Sequence, residues 1–273
     1  MNNENVKVGF CQYDVIFGNK QKNYDKVYSL LKDKSFDIMV LPELFTSGYF
    51  FNDQKEVDAM AETQGGETFK FLKQLASEKN AYIYAGFVEK ADGGVYNSSV
   101  LVGYDGTEVY YRKAHLFGNE KKFFKKSNQK FVAPDIVLKS GKKITVGLMV
   151  CFDWFFPEAA RTLALKGAQL LLHTTNLVMP YCPDSMPTRC LENQVFSVTC
   201  NRIGTEQFGD KSLTYIGRSV IVNNKAKILA EAPVDKQSVQ IIEIENIDDA
   251  KNKFINSVND IFADRRTDLY SLD

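Results

Sequence analysis

Three side chains with complementary chemistry, those of Glu43, Lys113 and Cys151, each stand where a predicted β-strand ends. In open α/β sheets the carboxyl ends of the strands form the edge at which ligands bind. A free thiol has a pKa of about 8.5, so Cys151 needs a base to become the nucleophilic thiolate. Glu43 can accept that proton, and Lys113 can stabilise the anion that forms when sulfur adds to an unsaturated carbon. The pattern predicts covalent catalysis by a cysteine, provided that the three strand ends meet in space.

Other interpretations of the same residues stay open. A cysteine after an apolar strand is usually a buried small hydrophobe, which would leave a scaffold or binding module without catalysis. His115 and His173 are the only histidines of the chain, so a Cys151–His173 thiol dyad is an alternative enzyme. The dyad predicts that His173 is essential for turnover and that Lys113 is not.

The elements that would position these residues alternate between strand and helix patterns. Period-two or continuously apolar runs predict strands at residues 6–12, 36–41, 82–89, 96–104, 108–112, 144–150, 169–174, 196–202, 214–222 and 239–244. Helical spacing predicts helices at residues 24–31, from residue 68 to 76, at 159–166 and near 188–194. Pro157 opens the helix that follows Cys151, which therefore lies on a strand-to-helix turn. The result is a mixed α/β (α+β) protein with two sheets covered by helices.

Composition limits the classes of function. Acidic and basic residues balance at 34 each, so no overall field would gather nucleic acid or an anionic membrane, and a small-molecule partner is expected. No linker, low-complexity stretch or repeat divides the chain, which predicts one domain over residues 1–273. The N-terminus lacks signal-peptide features and no apolar run could span a bilayer, which favours a cytoplasmic location. Five cysteines without ligand-like spacing favour reduced thiols and no structural metal, and no cofactor is expected.

A local basic run interrupts this balance. It contains Lys121, Lys122, Lys125, Lys126 and Lys130, interleaved with Phe123 and Phe124. Lysines of this kind can bind phosphates, but single charge runs usually form a solvated helix face or loop, which is the preferred interpretation.

Three blocks of the sequence resemble the signature blocks of the nitrilase, or carbon–nitrogen hydrolase, superfamily in content, order and spacing. The blocks are residues 41–49 (LPELFTSGY), 111–117 (YRKAHLF) and 147–161 (GLMVCFDWFFPEAAR). The resemblance continues through residues 176–180, 191–193, 201–206 and 264–266. It implies that Glu43, Lys113 and Cys151 are the catalytic Glu-Lys-Cys set. Glu120 matches the second glutamate of the family, with a surface charge as the alternative.

The resemblance also implies a reaction and a pocket. A thioester would form on Cys151, and the backbone N–H of Phe152 would be a second donor to the developing anion. Tyr49, Trp154 and Asn176 flank the blocks and are candidate substrate-binding residues together with Phe152, although core packing is an alternative for Tyr49 and Trp154. The preferred substrate is a small amide, which gives a carboxylic acid and ammonia or an amine.

A nitrilase that converts a small nitrile to the acid and ammonia is the alternative within the superfamily. Many amidase-like members carry Arg where this chain has Phe155, and the aromatic residues there are compatible with an apolar nitrile. The resemblance further implies a four-layer α-β-β-α sandwich that pairs into a homodimer or larger homo-oligomer. The stretch from Asn259 to Tyr270 would then cross to the partner subunit.

Overall fold

The computed structural model describes residues 5–271, which form two large β-sheets flanked by helices. The strands are β1 (Val6–Gln12), β2 (Ile38–Val40), β3 (Tyr82–Ala91), β4 (Gly94–Gly103), β5 (Glu108–Arg112), β6 (Asp135–Val137), β7 (Lys143–Val150), β8 (Leu170–Thr174), β9 (Phe196–Cys200), β10 (Thr205–Phe208), β11 (Lys211–Thr214), β12 (Val220–Val222), β13 (Ile228–Glu231) and β14 (Ser238–Ile244). The α-helices are α1 (Lys20–Leu31), α2 (Gln54–Met60), α3 (Glu67–Lys79), α4 (Glu120–Phe123), α5 (Pro157–Leu165) and α6 (Tyr181–Asn193). Two 3₁₀ helices cover Cys151–Phe155 and Ile247–Lys251.

Both sheets have six strands, and their strand order brings the functional ends together. The first sheet has the order β14-β1-β2-β3-β4-β5 and the second the order β13-β12-β9-β8-β7-β6, while β10 and β11 form a separate hairpin. Strands β1, β2 and β3 are parallel, and β5 runs in the same direction because it follows two antiparallel pairings. Strands β7, β8 and β9 are parallel in the second sheet. A parallel bridge between Asp14 and Ile203 joins the chain after β1 to the chain after β9. The carboxyl ends of the parallel strands of both sheets therefore lie side by side at one edge of the sandwich.

Apolar side chains fill three interfaces between four layers. Alternate residues of the central strands point into a core between the sheets, including Phe10 and Val40 from the first sheet and Leu148 and Leu172 from the second. The outer face of the first sheet packs against α1 and α3, and that of the second sheet against α5 and α6. This arrangement confirms the predicted four-layer α-β-β-α sandwich.

Some predicted elements differ from those observed. The strand predicted at residues 214–222 is wrong in its middle, because Gly217 and Arg218 have φ angles of 57° and 55° and separate β11, in the hairpin, from β12, in the second sheet. Helix α6 begins at Tyr181 rather than near residue 188, although Pro187 lies inside it. Proline lacks the N–H of an interior helical hydrogen bond, so packing of the buried face of α6 on the sheet outweighs the local signal.

Candidate active site

Cys151 lies at the first position after β7, on a tight turn into a 3₁₀ helix. Its φ angle of 40° is in the left-handed region, which costs a non-glycine residue about 1–2 kcal/mol. The buried carboxylate of Asp153 holds this turn, since it accepts hydrogen bonds from the Val150 N–H (3.0 Å) and the Tyr111 hydroxyl (2.8 Å). Its other oxygen accepts the His115 N–H at 3.2 Å. The second sheet's cysteine is thus fixed to residues that surround the end of β5 in the first sheet.

Lys113 lies between two buried carboxylates. Its Nζ donates to Glu43 Oε1 at 2.8 Å and to Glu120 Oε1 at 2.7 Å, and all three side chains are almost completely buried. Glu43 follows β2, Lys113 follows β5 and Glu120 begins α4. A buried charge is tolerated only when it is paired and hydrogen-bonded, and the Lys113 ammonium meets that condition through its two carboxyl partners.

Asn97 and Tyr49 complete the hydrogen bonding of the two carboxylates. Asn97, inside β4, donates from Nδ2 to Glu43 Oε1 at 2.7 Å and to Glu120 Oε2 at 3.4 Å. The Tyr49 hydroxyl donates to Glu120 Oε1 at 2.6 Å. Glu43 Oε2 is buried and has no hydrogen-bond partner within the described part of the chain. One oxygen of Glu43 is therefore held rigidly and the other is available to a proton donor.

The ionisation of the cluster follows from burial and charge. Burial alone would lower the pKa of Lys113, but the adjacent Glu120 and Glu43 carboxylates raise it above its ordinary value, so the ammonium form persists. Burial raises the pKa of Glu120, against the opposing effect of Lys113. The pKa of the Cys151 thiol is also raised, first by burial and then by Glu43, while Lys113 opposes both. In the resting site the sulfur is a thiol that needs a base.

Asn176 connects the cysteine to the loop that carries Glu43. Its side-chain Nδ2 donates to the backbone oxygen of Glu43 at 3.0 Å. A hydrogen bond from its backbone N–H opposes part of the rise that burial causes in the pKa of the Cys151 thiol. The residue follows β8, one strand from β7 in the second sheet. Asn176 thus links the two sheets beside the sulfur atom.

Two adjoining cavities open beside the cluster, at Tyr49, Glu120, Cys151 and Asn176. The larger has a volume of about 230 Å³ and is lined by Tyr49, Phe50, Phe51, Phe117, Gly118, Asn119, Glu120, Phe123, Phe124, Asn176, Val178 and Leu213. The smaller, which we call the thiol slot, has a volume of about 40 Å³ and is lined by Phe117, Cys151, Phe152, Trp154, Phe155, Asn176, Leu177, Val178, Met179 and Tyr181. The structure thus places Tyr49, Phe152, Trp154 and Asn176, the four residues expected from the sequence to bind substrate, in the walls of these cavities.

A fourth buried carboxylate, that of Glu206, supports the loop that carries Tyr49. Glu206 accepts hydrogen bonds from the backbone N–H groups of Tyr49 (3.2 Å) and Phe50 (2.7 Å) and from the Tyr215 hydroxyl (2.6 Å). It also pairs with the buried guanidinium of Arg202. The sequence patterns did not indicate Glu206 or Asn97 as contributors to the site. A polar run at residues 97–99 within a buried strand was the available signal for Asn97.

His173 does not act on the sulfur in this geometry. Its Nε2 lies 2.9 Å from the backbone oxygen of Cys151 and its Nδ1 lies 3.1 Å from the Thr199 hydroxyl. Burial lowers the pKa of His173 to about 4, so the ring is neutral and Nε2 donates to the carbonyl. With both ring nitrogens engaged elsewhere, the alternative Cys151–His173 dyad lacks its base.

The lysines of the basic run do not line the two cavities. Lys121, Lys122, Lys125, Lys126 and Lys130 are all exposed, which confirms the solvated interpretation. Residues 5–271 contain no group of three or more His, Cys, Asp or Glu side chains that could hold a metal ion. In the same residues no helix has the length and apolar character needed to cross a bilayer.

Comparison with known proteins gives the family. Residues 7–251 match the sequence profile described as Carbon-nitrogen hydrolase. The chain belongs to the carbon–nitrogen hydrolase family. It is 44% identical to a protein of Pyrococcus abyssi named nitrilase over 97% of this chain and 99% of that protein. It is 33% identical to an (R)-stereoselective amidase of Pseudomonas over 84% of this chain and 80% of that enzyme.

A solved structure agrees with the assignment to the carbon–nitrogen hydrolases. The crystal structure of a carbon–nitrogen hydrolase from Helicobacter pylori superposes with a TM-score of 0.81 and 25% identity, covering 99% of this chain and 98% of that one. Family membership confirms the predicted class: the chain is an enzyme that hydrolyses carbon–nitrogen bonds. Relatives named for nitriles and for amides both match, so the family alone does not choose between these substrates.

Proposed function

We propose that this enzyme hydrolyses the carbon–nitrogen bond of a small amide through a thioester on Cys151, giving a carboxylic acid and ammonia or an amine. The observation that carries the proposal is the buried Lys113 ammonium, held by Glu43 at 2.8 Å and by Glu120 at 2.7 Å. Glu120 lines the larger cavity, which adjoins the thiol slot. A nucleophile, a base and a cation in one water-poor site are the groups that acyl transfer requires.

In the first step Glu43 is the general base. Its free Oε2 takes the proton of the Cys151 thiol, and the sulfur bonds to the carbonyl carbon of the amide. The carbonyl oxygen becomes an anion, which the Lys113 ammonium stabilises together with the backbone N–H of Phe152. That N–H lies in the first turn of a 3₁₀ helix, where donors have no acceptor inside the helix. One such donor contributes roughly 2.7–4 kcal/mol to transition-state stabilisation.

In the later steps Glu43 returns the proton. The protonated carboxyl gives it to the leaving nitrogen, the carbon–nitrogen bond breaks, and ammonia or an amine departs from the thioester. Glu43 then removes a proton from a water molecule whose oxygen attacks the thioester carbon. The carbon–sulfur bond breaks, the sulfur takes the proton back, and the carboxylic acid is released. Glu120 holds Lys113 in place throughout.

A nitrile is the second candidate substrate. The supporting observation is the 44% identity with the Pyrococcus abyssi protein named nitrilase, over almost the full length of both chains. Addition of the thiol to a nitrile carbon would give a thioimidate, and water would convert this to the same thioester with loss of ammonia. Both reactions would then use Cys151, Glu43 and Lys113 in the same roles.

Ammonia release from matched amide and nitrile pairs tests the proposal. We expect acetamide and butyramide to be turned over faster than acetonitrile and butyronitrile, and Cys151→Ala to abolish both activities. Cys190→Ala, which removes another buried thiol, is the matched control and should keep the wild-type kcat. Turnover of the nitriles without turnover of the amides would reverse the substrate assignment, and full activity in Cys151→Ala would refute the mechanism.

We also propose the organisation and location of the enzyme. One continuous apolar core between the sheets supports a single catalytic domain over residues 1–273. All five cysteines are buried free thiols, which fits the reducing cytoplasm. Exposed apolar side chains near the C-terminus support a homodimer in which residues 259–270 reach the partner subunit.

A further inference from the structure

The space around the sulfur carries information about the substrate's acyl group, because that group stays bonded to sulfur in the proposed thioester. The thiol slot is lined by Cys151, one amide side chain and eight apolar or aromatic side chains, and none of its lining residues is charged. The slot has a volume of about 40 Å³, which is small compared with the 230 Å³ of the neighbouring cavity. It is therefore an apolar passage that begins at the nucleophile.

The nearby charges do not supply a partner for a charged acyl group. The ammonium of Lys113 is already paired with Glu43 and Glu120. Arg189 lies behind the slot, where its Nε donates to the Trp154 backbone oxygen at 3.2 Å and its Nη1 pairs with Glu192 at 3.1 Å. A carboxylate or ammonium that entered the slot would lose its hydration without gaining an ion pair.

The single amide in the slot points to the same conclusion. Asn176 uses its Nδ2 to bind the backbone oxygen of Glu43, and its Oδ1 is a buried acceptor without a partner in the described residues. An unpaired carbonyl oxygen repels a carboxylate. It is also too weak, as a single neutral acceptor, to replace the hydration of an ammonium group.

The outer end of the slot has a rim of exposed apolar side chains. Phe155, Met179 and Tyr181 are 53%, 41% and 57% exposed, and all three line the slot. The ring of Phe155 lies 5.1 Å from that of Trp154 and 5.4 Å from that of Phe152. Clustered apolar side chains at the mouth of a pocket are typical of a surface that a ligand covers. A group that left the slot would contact this rim.

We propose that the enzyme selects substrates whose acyl group is uncharged, apolar and slender or flat, and this proposal rests on the amide or nitrile hydrolysis proposed above. The acyl group is long enough to reach from Cys151 to the rim at Tyr181. Unbranched alkyl and arylalkyl amides, or the corresponding nitriles, have this chemistry. Aromatic walls favour an aryl tail through offset or edge-to-face packing. Acyl groups that end in a carboxylate or an ammonium are rejected.

A matched substrate series tests the selection. Hexanamide and 5-aminopentanamide have chains of equal length and differ in a terminal methyl or ammonium group, while glutaramate ends in a carboxylate. We expect kcat/KM for hexanamide and 3-phenylpropionamide to exceed that for both charged amides by at least about 100-fold. Equal turnover of glutaramate or 5-aminopentanamide, with acetamide hydrolysis intact, would overturn the inference and leave the proposed function standing.

A charge placed on the rim provides a second measurement. Met179→Lys should raise the glutaramate-to-hexanamide ratio of kcat/KM at least about tenfold, because the new ammonium can pair with the carboxylate. Val137→Lys, at a similarly exposed apolar residue on β6, is the matched control and should leave the ratio unchanged. An unchanged ratio in Met179→Lys would contradict the placement of the acyl tail at the rim.

Alkylation of Cys151 examines the preference without turnover. Rates for N-butyl iodoacetamide and for the anion iodoacetate are measured by mass spectrometry of the Cys151 peptide, each relative to the rate with glutathione. We expect the relative rate of Cys151 alkylation to be at least about tenfold higher with N-butyl iodoacetamide than with iodoacetate. Equal relative rates would overturn it, whereas labelling of Cys151 no faster than of Cys200 by any reagent would refute the nucleophile itself.

Discussion

At the scale of single residues, Lys113 has the strongest electrostatic constraint of the site. It is fully buried, and each of its two carboxylate partners would be left with an unpaired buried charge without it. Lys113→Met keeps the aliphatic length but removes the cation. We expect kcat to fall on the order of 100- to 1,000-fold, because a donor to the developing anion is lost. We also expect the free energy of unfolding to fall by about 3–5 kcal/mol.

Steady-state kinetics with acetamide as the substrate measure the loss of kcat in Lys113→Met. Unfolding in urea measures its loss of stability. Lys122→Met, which changes an exposed lysine close to Glu120 in sequence, is the control and should preserve both values. A wild-type value of kcat in Lys113→Met would show that catalysis does not need the Lys113 ammonium.

His173 gives a prediction about pH. Its pKa is about 4 in the folded chain against an ordinary value of 6.5, so the folded state binds fewer protons than the unfolded state between these values. Stability is therefore full above pH 6.5 and declines as the pH falls towards 4, by up to about 3 kcal/mol from this residue. Denaturant melts of the wild type and His173→Gln at pH 7 and pH 4.5 should show a smaller loss in the variant.

Activity of the same variant separates the two possible bases. Because His173 touches the backbone oxygen of Cys151 and not the sulfur, His173→Gln should keep measurable turnover at pH 7.5, within about tenfold of the wild type. Complete loss of turnover in a folded His173→Gln protein would revive the Cys–His dyad.

The sequence could predict the site only in part. Glu43, Lys113 and Cys151 follow strands, and strand patterns are visible because apolar residues alternate or run continuously. Asn97 was missed because its role depends on which face of β4 meets the second sheet, and that packing is not contained in the local pattern. Glu206 was missed for a similar reason, since it acts through the backbone of residues 49 and 50, far away in sequence.

At the scale of elements, β3 positions the loop that carries Glu43. Gly86 lies under this loop, where its N–H donates to Pro42 O at 3.3 Å and its oxygen accepts the Phe45 N–H at 3.1 Å. A Cβ at residue 86 would lie 2.7 Å from the Cα of Glu43. Gly86→Ala should therefore displace Glu43 and lower kcat about 10- to 100-fold, since a shift of about 1 Å in a catalytic group can cost 100-fold.

Gly9→Ala is a control of matched crowding for Gly86→Ala. A Cβ at residue 9 on β1 would lie 2.7 Å from the backbone oxygen of Gln240, away from the two cavities. Both variants should lose about 1–3 kcal/mol of stability, as overpacked cores do. Only Gly86→Ala should lose activity per folded molecule, as measured by kcat after correction for the folded fraction. Equal losses of kcat would assign the effect to general strain.

Element boundaries were predictable where local and tertiary preferences agree. The predicted bounds of β1 and β5 match the observed Val6–Gln12 and Glu108–Arg112, since both have clear strand patterns and flanking turns. The prediction was wrong where they conflict, as in α6, which begins at Tyr181 instead of near residue 188 and has Pro187 inside it. The short β6 and β13 lie at sheet edges, where half-exposed residues give little periodic signal.

At the scale of the whole molecule, the candidate site belongs to neither sheet alone. The first sheet contributes Glu43 and Lys113, and the second contributes Cys151 and Asn176. The contacts between Asp153 and Tyr111 and between Asn176 and the Glu43 backbone cross from one sheet to the other. Catalytic geometry therefore depends on the sheet-to-sheet core, so that variants which loosen this core should lose activity before they lose secondary structure.

The surface near the C-terminus argues for association of the folded chains. Val258 and Leu269 are 75% and 67% exposed, with Phe254, Ile255 and Tyr270 also exposed in the same region of the sequence. Monomeric proteins rarely leave so many neighbouring apolar side chains in water.

Light scattering should give about twice the chain mass of 30.9 kDa at micromolar concentration. Because charges are excluded from the centre of apolar interfaces, Val258→Asp combined with Leu269→Asp should shift the mass to that of one chain. Ile228→Asp, which changes an exposed apolar residue on β13, is the control and should leave the measured mass unchanged. A wild-type mass equal to that of one chain would contradict the homodimer, and no partner subunit could then contribute to the pocket entrance.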